Sequence, residues 1–294
     1  MNKFYKYIGG ALVLLAALMA FCLGSLPDGR LHVYMLDVGQ GDAVLIRTPK
    51  DEYILVDGGP NDKVIQELSS VMPFYEHTID TLILTHPHPD HINGLVDVLR
   101  RFEVRQVILT GINYDYSGYA VFLDLLAEKD IAVFIAGSND YKMGALTFDM
   151  LFPFKSIQGR SYENVNNSSI VFRLIYGKTV IYFSGDCELE CEQKLIDSGL
   201  DLSADILKVG HHGSRTSSSE ELLDEVFGNG AGLAAARTEG AREALISCGA
   251  GNKYKHPHAE TVAKLQDRGV KIYRTDIDGM VEVVSNGINL ILSS

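Results

Sequence analysis

The histidines of this sequence are concentrated in three short clusters, and the first cluster most strongly constrains the fold. It follows the apolar run at residues 81–85, which is typical of a buried strand. Side chains at alternate positions leaving a strand project to one side, so His86, His88 and Asp90 can converge. His91 turns in at the start of the next helix, which is expected over residues 92–102, and Pro87 and Pro89 are expected to stiffen the loop before it. Imidazoles and a carboxylate at this spacing can hold two metal ions, so the cluster predicts a metal site at a strand end.

The pattern of apolar residues from position 31 onward predicts strands that alternate with helices. Three β-rich runs at residues 31–38, 43–48 and 53–57 indicate antiparallel strands at the start of a sheet. Helices and strands then alternate, and the second half of the chain repeats this order of strands followed by helices. Two β-rich halves with interspersed helices predict an α/β fold in which two sheets pack face to face with helices outside.

Composition supports a folded chain and excludes several classes of protein. Of the 294 residues, 46% are hydrophobic and 22% are charged, which excludes disordered and coiled-coil proteins. The formal net charge of −12 repels polyanions and excludes a non-specific nucleic-acid coat protein. Since no Pro/Ser-rich or charged linker divides the chain after its first 29 residues, we expect one globular domain over residues 30–294. Cys187 and Cys191 are expected to be small buried side chains rather than ligands or a disulfide.

Residues 1–29 predict a targeting or anchoring segment. Lys3 and Lys6 precede a charge-free, almost wholly apolar run at residues 8–26, close to the roughly 20 residues that span a bilayer. We expect an uncleaved signal anchor that contacts the membrane through this run. A cleaved signal peptide, and hence a secreted protein, is the alternative. Because the lysines precede the run, the positive-inside rule predicts a cell-membrane protein with residues 30–294 outside the cytoplasm.

Several motifs along residues 31–294 resemble those of one known family. The pattern His-x-His-x-Asp-His after an apolar strand is similar to the signature of the metallo-β-lactamase fold superfamily. The turn Asp57-Gly58-Gly59, the segment that ends at Asp186 and the pair His256-Pro257 resemble its further motifs. The resemblance implies a four-layer αββα sandwich with one or two metal ions between the sheets, preceded here by the N-terminal anchor.

Three further segments resemble the competence-type, ComEC-like branch of that superfamily, at residues 37–43, 207–214 and 273–276. Full-length members of this branch join such a hydrolase domain to a multispan DNA-uptake channel. This sequence contains no such channel, so the resemblance implies a stand-alone form on one anchor. A role in DNA uptake does not follow from it.

The resemblance also assigns the metal ligands. They are His86, His88, Asp90, His91, Asp186 and His256. Asp186 would be shared by two ions, with His86 and His88 on one of them and the remaining ligands on the other. Asp42 and Asp57 are expected beside the metals, where they hydrogen-bond the neighbouring turns and orient the ligand loops.

The sequence departs from the superfamily at one expected metal histidine, because no histidine occurs between residues 92 and 185. The matching stretch at residues 163–168 is rich in asparagine, and Asn167 is a candidate for an additional ligand. A polar turn before the next strand is an equally good interpretation. Since an amide oxygen is a harder and weaker ligand than imidazole, Mn²⁺ becomes an alternative to Zn²⁺.

These ligands predict a metal-dependent hydrolase. Two cations that share Asp186 leave positions for a bridging water, and they lower its pKa so that a hydroxide nucleophile forms at pH 7. By resemblance to phosphodiesterase members of the superfamily, His211 is the candidate proton donor to the leaving oxygen, and His212 shapes its loop. The predicted catalytic residues are Asp90, His211 and His212.

The favoured function is therefore a phosphodiesterase or nuclease, acting on a nucleic acid such as DNA or on an envelope phosphodiester such as teichoic acid. A β-lactam, thioester or lactone hydrolase on the same fold is one alternative, and the competence-type motifs argue against it. A non-catalytic component of a DNA-uptake system is the other, although all the positions that form the hydroxide are present. Substrate, metal and oligomeric state stay open at this level.

Overall fold

The computed structural model describes residues 26–228 and 242–294, together with residues 7, 12–15 and 19. Among these residues no helix has both the length and the apolar character needed to cross a bilayer. A span requires roughly 20 helical residues, so this finding contradicts the predicted membrane anchor over residues 8–26. It equally contradicts the cell-membrane localisation derived from that anchor. Most of that segment lies outside the described residues.

Two large β-sheets and one small sheet form the centre of the structure. The strands are β1 (Leu31–Met35), β2 (Val44–Arg47), β3 (Tyr53–Val56), β4 (Thr78–Ile79), β5 (Thr81–Leu84), β6 (Glu103–Val104), β7 (Gln106–Leu109), β8 (Ala132–Ile135), β9 (Tyr141–Met143), β10 (Leu146–Phe152), β11 (Val171–Tyr176), β12 (Thr179–Phe183), β13 (Ile206–Lys208), β14 (Glu243–Ile246), β15 (Lys271–Arg274), β16 (Val281–Ser285) and β17 (Leu290–Ser293). The first sheet has the order β17-β16-β1-β2-β3-β5-β7-β8, the second has the order β15-β14-β13-β12-β11-β10-β9, and β4 pairs with β6. In each large sheet an antiparallel half adjoins a parallel half.

Helices cover the outer face of each large sheet. They are α1 (Lys63–Val71), α2 (Pro89–Arg101), α3 (Ser117–Glu128), α4 (Leu189–Asp197), α5 (Glu220–Phe227), α6 (Ala259–Asp267) and the short α7 (Thr275–Asp278). One apolar cluster joins α1, α2 and α3 to the first sheet, a second lies between the two sheets, and a third joins α4, α5 and α6 to the second sheet. The predicted αββα sandwich is therefore confirmed.

The side chains of β3 show why the layers form. Tyr53 and Leu55 belong to the apolar cluster under the helices, whereas Ile54 and Val56 belong to the cluster between the sheets. All four are buried, because successive side chains of a strand point to opposite faces and both faces are covered. An apolar run without alternation is thus what a strand at the middle of four layers requires.

Helix α2 begins earlier than the sequence predicts, and its start places two of the candidate ligands. We expected the helix from residue 92, whereas it begins at Pro89 with His88 as its N-cap. Proline is favoured at this position because the first helical N–H groups have no partner within the helix. Asp90 and His91 therefore lie in the first turn of α2, where the positive end of the helix dipole stabilises a carboxylate.

Helix α2 packs directly on the turn that follows β3. The Gly58 N–H donates to the carbonyl of His91 over 2.7 Å, and the Gly94 N–H donates to the carbonyl of Gly59 over 3.0 Å. A Cβ atom at Gly94 would overlap the carbonyl oxygen of Gly58, so only glycine permits this approach. The close contact brings His91 beside Asp57.

Cys187 and Cys191 form a disulfide at the start of α4, which corrects the expectation of two separate buried thiols. The two residues are four positions apart, and their Cα atoms lie 5.5 Å from each other, within the range that a disulfide spans. Cys248 is a free, buried thiol. The disulfide therefore closes a short loop that begins directly after Asp186.

Candidate metal centre

The end of β5 presents the first two histidines of the cluster. The N–H and the hydroxyl of Thr85 both donate to the Asp57 carboxylate, over 2.8 and 2.7 Å, and fix the chain where it leaves the strand. His86 is fully buried, and its Nε2 lies 3.1 Å from Nδ1 of His88. These two nitrogens are close enough to bind one ion together.

His91 connects α2 to the middle of the site. Its Nδ1–H donates to Asp57 Oδ2 over 2.8 Å. Because Nδ1 carries the proton, Nε2 is the nitrogen with a free lone pair. Nε2 lies 3.3 Å from Asp186 Oδ2. Asp57 thus orients the His91 ring toward Asp186.

Asp186 lies where side chains from both sheets meet. It follows β12, and its N–H donates to Ser169 Oγ over 3.1 Å. Its Oδ2 lies 3.3 Å from His91 Nε2, 3.5 Å from His212 Nε2 and 4.0 Å from His86 Nε2. One carboxylate oxygen therefore faces ring nitrogens from two chain segments, the stretch from the end of β5 to the first turn of α2 and the turn after β13.

The neighbouring residues His211 and His212 occupy the tight turn Gly210–Gly213 after β13. Both have positive φ angles, 48° and 55°, a conformation that is uncommon and costly for residues with a side chain. This backbone sends the two rings in different directions. His212 is buried, whereas 24% of the His211 side chain is exposed at the open side of the site.

His212, predicted as a catalytic residue that shapes its loop, is a potential metal ligand. Its Nδ1–H donates to the carbonyl of Ser247 over 3.1 Å, which leaves Nε2 free. Nε2 lies 3.4 Å from Asp90 Oδ2 and 3.5 Å from Asp186 Oδ2. The spacing of two adjacent histidines does not say which ring turns inward, so the sequence did not indicate His212 as a ligand.

The donor atoms at the centre have the spacing that a metal ion requires. Ligand atoms about 2.0–2.2 Å from a tetrahedral ion lie roughly 3.3–3.6 Å from one another. In the described part of the chain, His91 Nε2, His212 Nε2 and Asp186 Oδ1 are buried without a hydrogen-bond partner. Buried polar atoms are nearly always paired, so these atoms fit a cation. The compact donor sets are His86 with His91 and Asp186, Asp90 with His91 and His212, Asp42 with Asp57 and His91, and Asp42 with Asp186 and His212.

His88 and His256, both predicted ligands, lie outside these compact donor sets. The ring of His256 is centred 5.5 Å from that of His211 and 6.2 Å from that of His212. Burial and the neighbouring His212 and His211 lower the pKa of His256 to about 4, so its ring is neutral. The structure places His256 at the rim of the centre and His212 inside it.

Asn167, the predicted additional ligand, uses its oxygen elsewhere, because Oδ1 accepts from the Glu188 N–H over 3.1 Å. Asn166 instead has a buried Oδ1 with no hydrogen-bond partner among the described residues. Burial and His91 lower the pKa of His88, and Asp186, Asp90 and Asn166 partly oppose this effect. An amide oxygen for a metal ion could therefore come from Asn166 rather than from Asn167.

Lys208 is a buried cation at the site that was not predicted from the sequence. Its ammonium group donates to Asp42 Oδ2 and to the carbonyl of Gly185, and it lies 4.0 Å from Asp186 Oδ1. Burial disfavours the charge, yet Asp42 and Asp186 raise the pKa of Lys208, so it stays protonated. A lysine in a fully buried strand, three residues before a histidine pair, is the signal that would have found it.

The carboxylates of the centre stabilise positive charge there. Burial opposes protonation of His91, but Asp186 and Asp57 hold its pKa well above the usual value. For His212, the charges of Asp186 and Asp42 likewise outweigh burial and raise the pKa to about 10. An environment that stabilises protons on two buried imidazoles also stabilises a divalent cation in their place.

Glu188, which precedes α4, pairs with the exposed histidine. Its Oε1 lies 2.9 Å from Nδ1 of His211. Burial raises the pKa of Glu188, but hydrogen bonds from His211, Asn166 and Asn164 outweigh it and lower the pKa to about 2. Glu188 is therefore a carboxylate at neutral pH. No sequence pattern indicated a role for Glu188 in the site.

Imidazole and carboxylate donors that converge between two helix-covered sheets are the arrangement of an αββα metallohydrolase. Comparison with known proteins agrees, since residues 36–229 match the family model described as the metallo-beta-lactamase superfamily. The chain belongs to the metallo-β-lactamase superfamily, a family of metal-dependent hydrolases whose fold binds divalent metal ions.

Curated relatives place the chain among the competence-type members of this superfamily. It is 27% identical over 270 residues to ComE operon protein 3 of Bacillus subtilis and 26% identical over 277 residues to competence protein ComA of Neisseria gonorrhoeae. These matches cover 85% and 92% of this chain but only 32% and 35% of the two relatives. The resemblance to the competence-type branch is therefore confirmed, and the chain spans about a third of the length of these relatives.

A solved structure agrees on the fold. The metallo-β-lactamase fold protein YhfI from Bacillus subtilis superposes with a TM-score of 0.53, over 83% of this chain and 96% of that protein. The two sequences are 14% identical, so the likeness is one of fold alone.

Proposed function

We propose that this protein is a metal-dependent phosphodiesterase. The position of His211 carries the proposal, because this histidine stands at the open side of the donor cluster with its Nε2 3.9 Å from Asp186 Oδ2. A partly exposed imidazole at this place can contact a bound substrate, whereas the buried His212 cannot. Cleavage of an alkyl phosphodiester needs such a group, because the leaving oxygen must gain a proton.

The residues that would hold the metal ions come from both sheets. We assign one ion to His86, His88 and Asp186, and a second ion to Asp90, His91, Asp186 and His212. When bound, such ions lower the pKa of a coordinated water toward neutrality and offset negative charge on the phosphoryl oxygens. Imidazole ligands suit Zn²⁺ and carboxylate oxygens suit Mn²⁺, so we propose one of these two metals.

The chain's own residues provide orientation and the proton. Asp57 holds the His91 ring through Nδ1, so that its other nitrogen faces Asp186. Lys208 offsets part of the buried negative charge next to Asp186. His211 gives the proton on Nε2 to the leaving oxygen.

DNA is the phosphodiester that we favour. One relative is named as a competence protein, and competence is the uptake of DNA. The surroundings of the site support a nucleic acid as well, since the exposed cations Arg215, Lys253 and Lys255 lie in the chain segments next to His211 and His256. Tyr254 is 50% exposed and stacks on His256. Cations bind phosphates and locally offset the net charge of −12. An exposed ring can stack on a base.

A substrate panel tests this proposal. The full chain is assayed with Zn²⁺ or Mn²⁺ on bis(p-nitrophenyl) phosphate, single- and double-stranded DNA, teichoic acid and a chromogenic β-lactam. We expect phosphodiester hydrolysis that a chelator or Asp186→Ala abolishes. Asp124→Ala, at an exposed position of α3, is the matched control and should stay active.

Two results would contradict the proposal. Turnover of the β-lactam alone, or of no substrate, would overturn the phosphodiesterase function. Cleavage of teichoic acid without cleavage of DNA would keep the function but overturn DNA as the substrate.

A further inference from the structure

We infer that Glu188 is a positioning residue that orients His211 for proton donation, an inference that rests on the proposed phosphodiesterase function. Glu188 is the N-cap of α4 and lies two residues after Asp186. The family resemblance assigns it no role, and it is not among the compact metal-donor sets of the described residues. Its carboxylate contacts the ring of His211 and the side-chain amides of Asn164 and Asn166.

The two nitrogens of His211 face different partners. Oε1 of Glu188 forms an ion pair with Nδ1 over 2.9 Å, and Thr216 Oγ1 is hydrogen-bonded to the same nitrogen over 3.2 Å. With Nδ1 held on this side, Nε2 points toward the centre, 3.9 Å from Asp186 Oδ2. Because the ring is partly exposed, it depends on such a partner for a fixed orientation.

Three asparagines hold Glu188 in place. Asn164 Nδ2 donates to its Oε2 over 2.7 Å, and Asn166 Nδ2 donates to its Oε1 over 3.0 Å. Asn167 Oδ1 accepts from its backbone N–H over 3.1 Å. These asparagines belong to the turn Val165–Ser168 and its N-cap. The asparagine-rich stretch at residues 163–168, in which the sequence predicts an extra metal ligand, therefore holds the carboxylate of Glu188 in place.

Orientation of His211 matters because proton transfer requires the two heavy atoms to come within about 2.6–3.2 Å. As the P–O bond to the leaving group breaks, its electron pair stays on that oxygen, which takes the proton from Nε2. His211 is left neutral, with Nδ1–H still donated to Glu188. A ring free to rotate would hold Nε2 within this distance for only part of the time.

Glu188→Gln tests the inference, because it keeps the size of the side chain and removes its charge. The control is Glu190→Gln in the same helix, where the glutamate is 69% exposed and pairs with Lys194. We expect Glu188→Gln to lose roughly 10- to 100-fold in kcat on the dinucleotide dTpdT, part of the roughly 10²- to 10⁴-fold that a general acid contributes. The loss on bis(p-nitrophenyl) phosphate should be much smaller, since p-nitrophenolate departs without a proton. Metal content should not change in either variant.

A double variant separates orientation of His211 from a general structural role. If Glu188 acts through His211, adding Glu188→Gln to His211→Ala causes no further loss of kcat. A further loss of the same size in the double variant would overturn the inference. Equal losses on both substrates would overturn it as well.

Nitrogen NMR of the metal-free chain gives a readout that does not depend on turnover. The Nδ1 resonance of His211 should shift in Glu188→Gln and stay in place in Glu190→Gln, and an unshifted resonance in Glu188→Gln would contradict the pairing. An inactive wild-type chain would overturn the proposed function and this inference together. An active wild type with an unaffected Glu188→Gln would overturn the inference alone.

Discussion

The donor atoms of the metal centre are held by partners on their far side. Asp57 holds the ring of His91, and the carbonyl of Ser247 holds the ring of His212. Each bond leaves Nε2 of the ring directed at Asp186. The orientation of the rings is therefore set by the protein before any ion binds, and metal affinity should depend on these partners.

Asp57→Asn should weaken metal binding about 10- to 100-fold, the usual effect of changing a residue that orients a metal histidine. The variant should fold, because asparagine tolerates the positive φ of 57° at this position. Competition with a chromogenic chelator measures the affinity. Asp124→Asn is the control, and equal affinity of the two variants would mean that Asp57 does not orient the ligand.

His212→Ala should lose more bound metal than His256→Ala. Nε2 of His212 lies inside the compact donor sets, whereas the His256 ring is centred 6.2 Å from the His212 ring at the rim. Elemental analysis of the purified variants gives the metal content per chain. The reverse order would restore the sequence-based assignment of His256 in place of His212.

The sequence predicted the first histidine cluster because its spacing along a strand end and a helix start is local information. It could not predict Lys208, since the partner Asp42 lies 166 residues away and only tertiary packing joins them. The sequence did not indicate Glu188 either, because its role depends on the ring of His211, which only tertiary packing brings beside it. Local patterns thus identify potential ligands, while the residues that orient and neutralise them appear only in the folded chain.

At the level of elements, the contact between α2 and the turn after β3 positions His91 and Asp57. The apolar period of the sequence predicted α2 itself, but Pro89 was interpreted as a residue of the preceding loop. The sequence did not predict β8 (Ala132–Ile135), because its side chains are largely exposed at the sheet edge and show no alternation. Elements with a buried apolar face were predictable, whereas the edge strand β8 and the exact start of α2 were not.

Gly94→Ala should destabilise the protein by about 1–3 kcal/mol, because the new Cβ would overlap the Gly58 carbonyl and push α2 away from its turn. Gly137→Ala is the matched control. Its Cβ would meet only ordinary contacts, 3.6 Å or more from its neighbours. Urea unfolding of both variants measures the difference. Equal stability would show that α2 can shift at no cost.

On the scale of the whole molecule, the metal centre draws its donors from both halves of the sandwich. His86 and His91 follow β5 of the first sheet, whereas Asp186 and His212 follow β12 and β13 of the second. A ligand that binds only this assembled arrangement stabilises the folded chain by mass action.

Saturating Zn²⁺ or Mn²⁺ should therefore raise the Tm of the full chain. At a free metal concentration of about 100 times Kd the gain is about 2.7 kcal/mol. Thermal unfolding at increasing metal concentrations gives the measurement. The Tm of Asp186→Ala should hardly respond, and an equal rise in that variant would place the stabilising ion elsewhere.

Donors divided between two sheets also have a kinetic consequence. The site is complete only after both sheets have docked, so an ion adds little to the transition state for folding and much to the native state. Bound metal should thus slow unfolding while leaving the folding rate nearly unchanged. The lifetime of the folded chain, and with it the resistance to proteases that cut the opened form, then depends on the supply of metal.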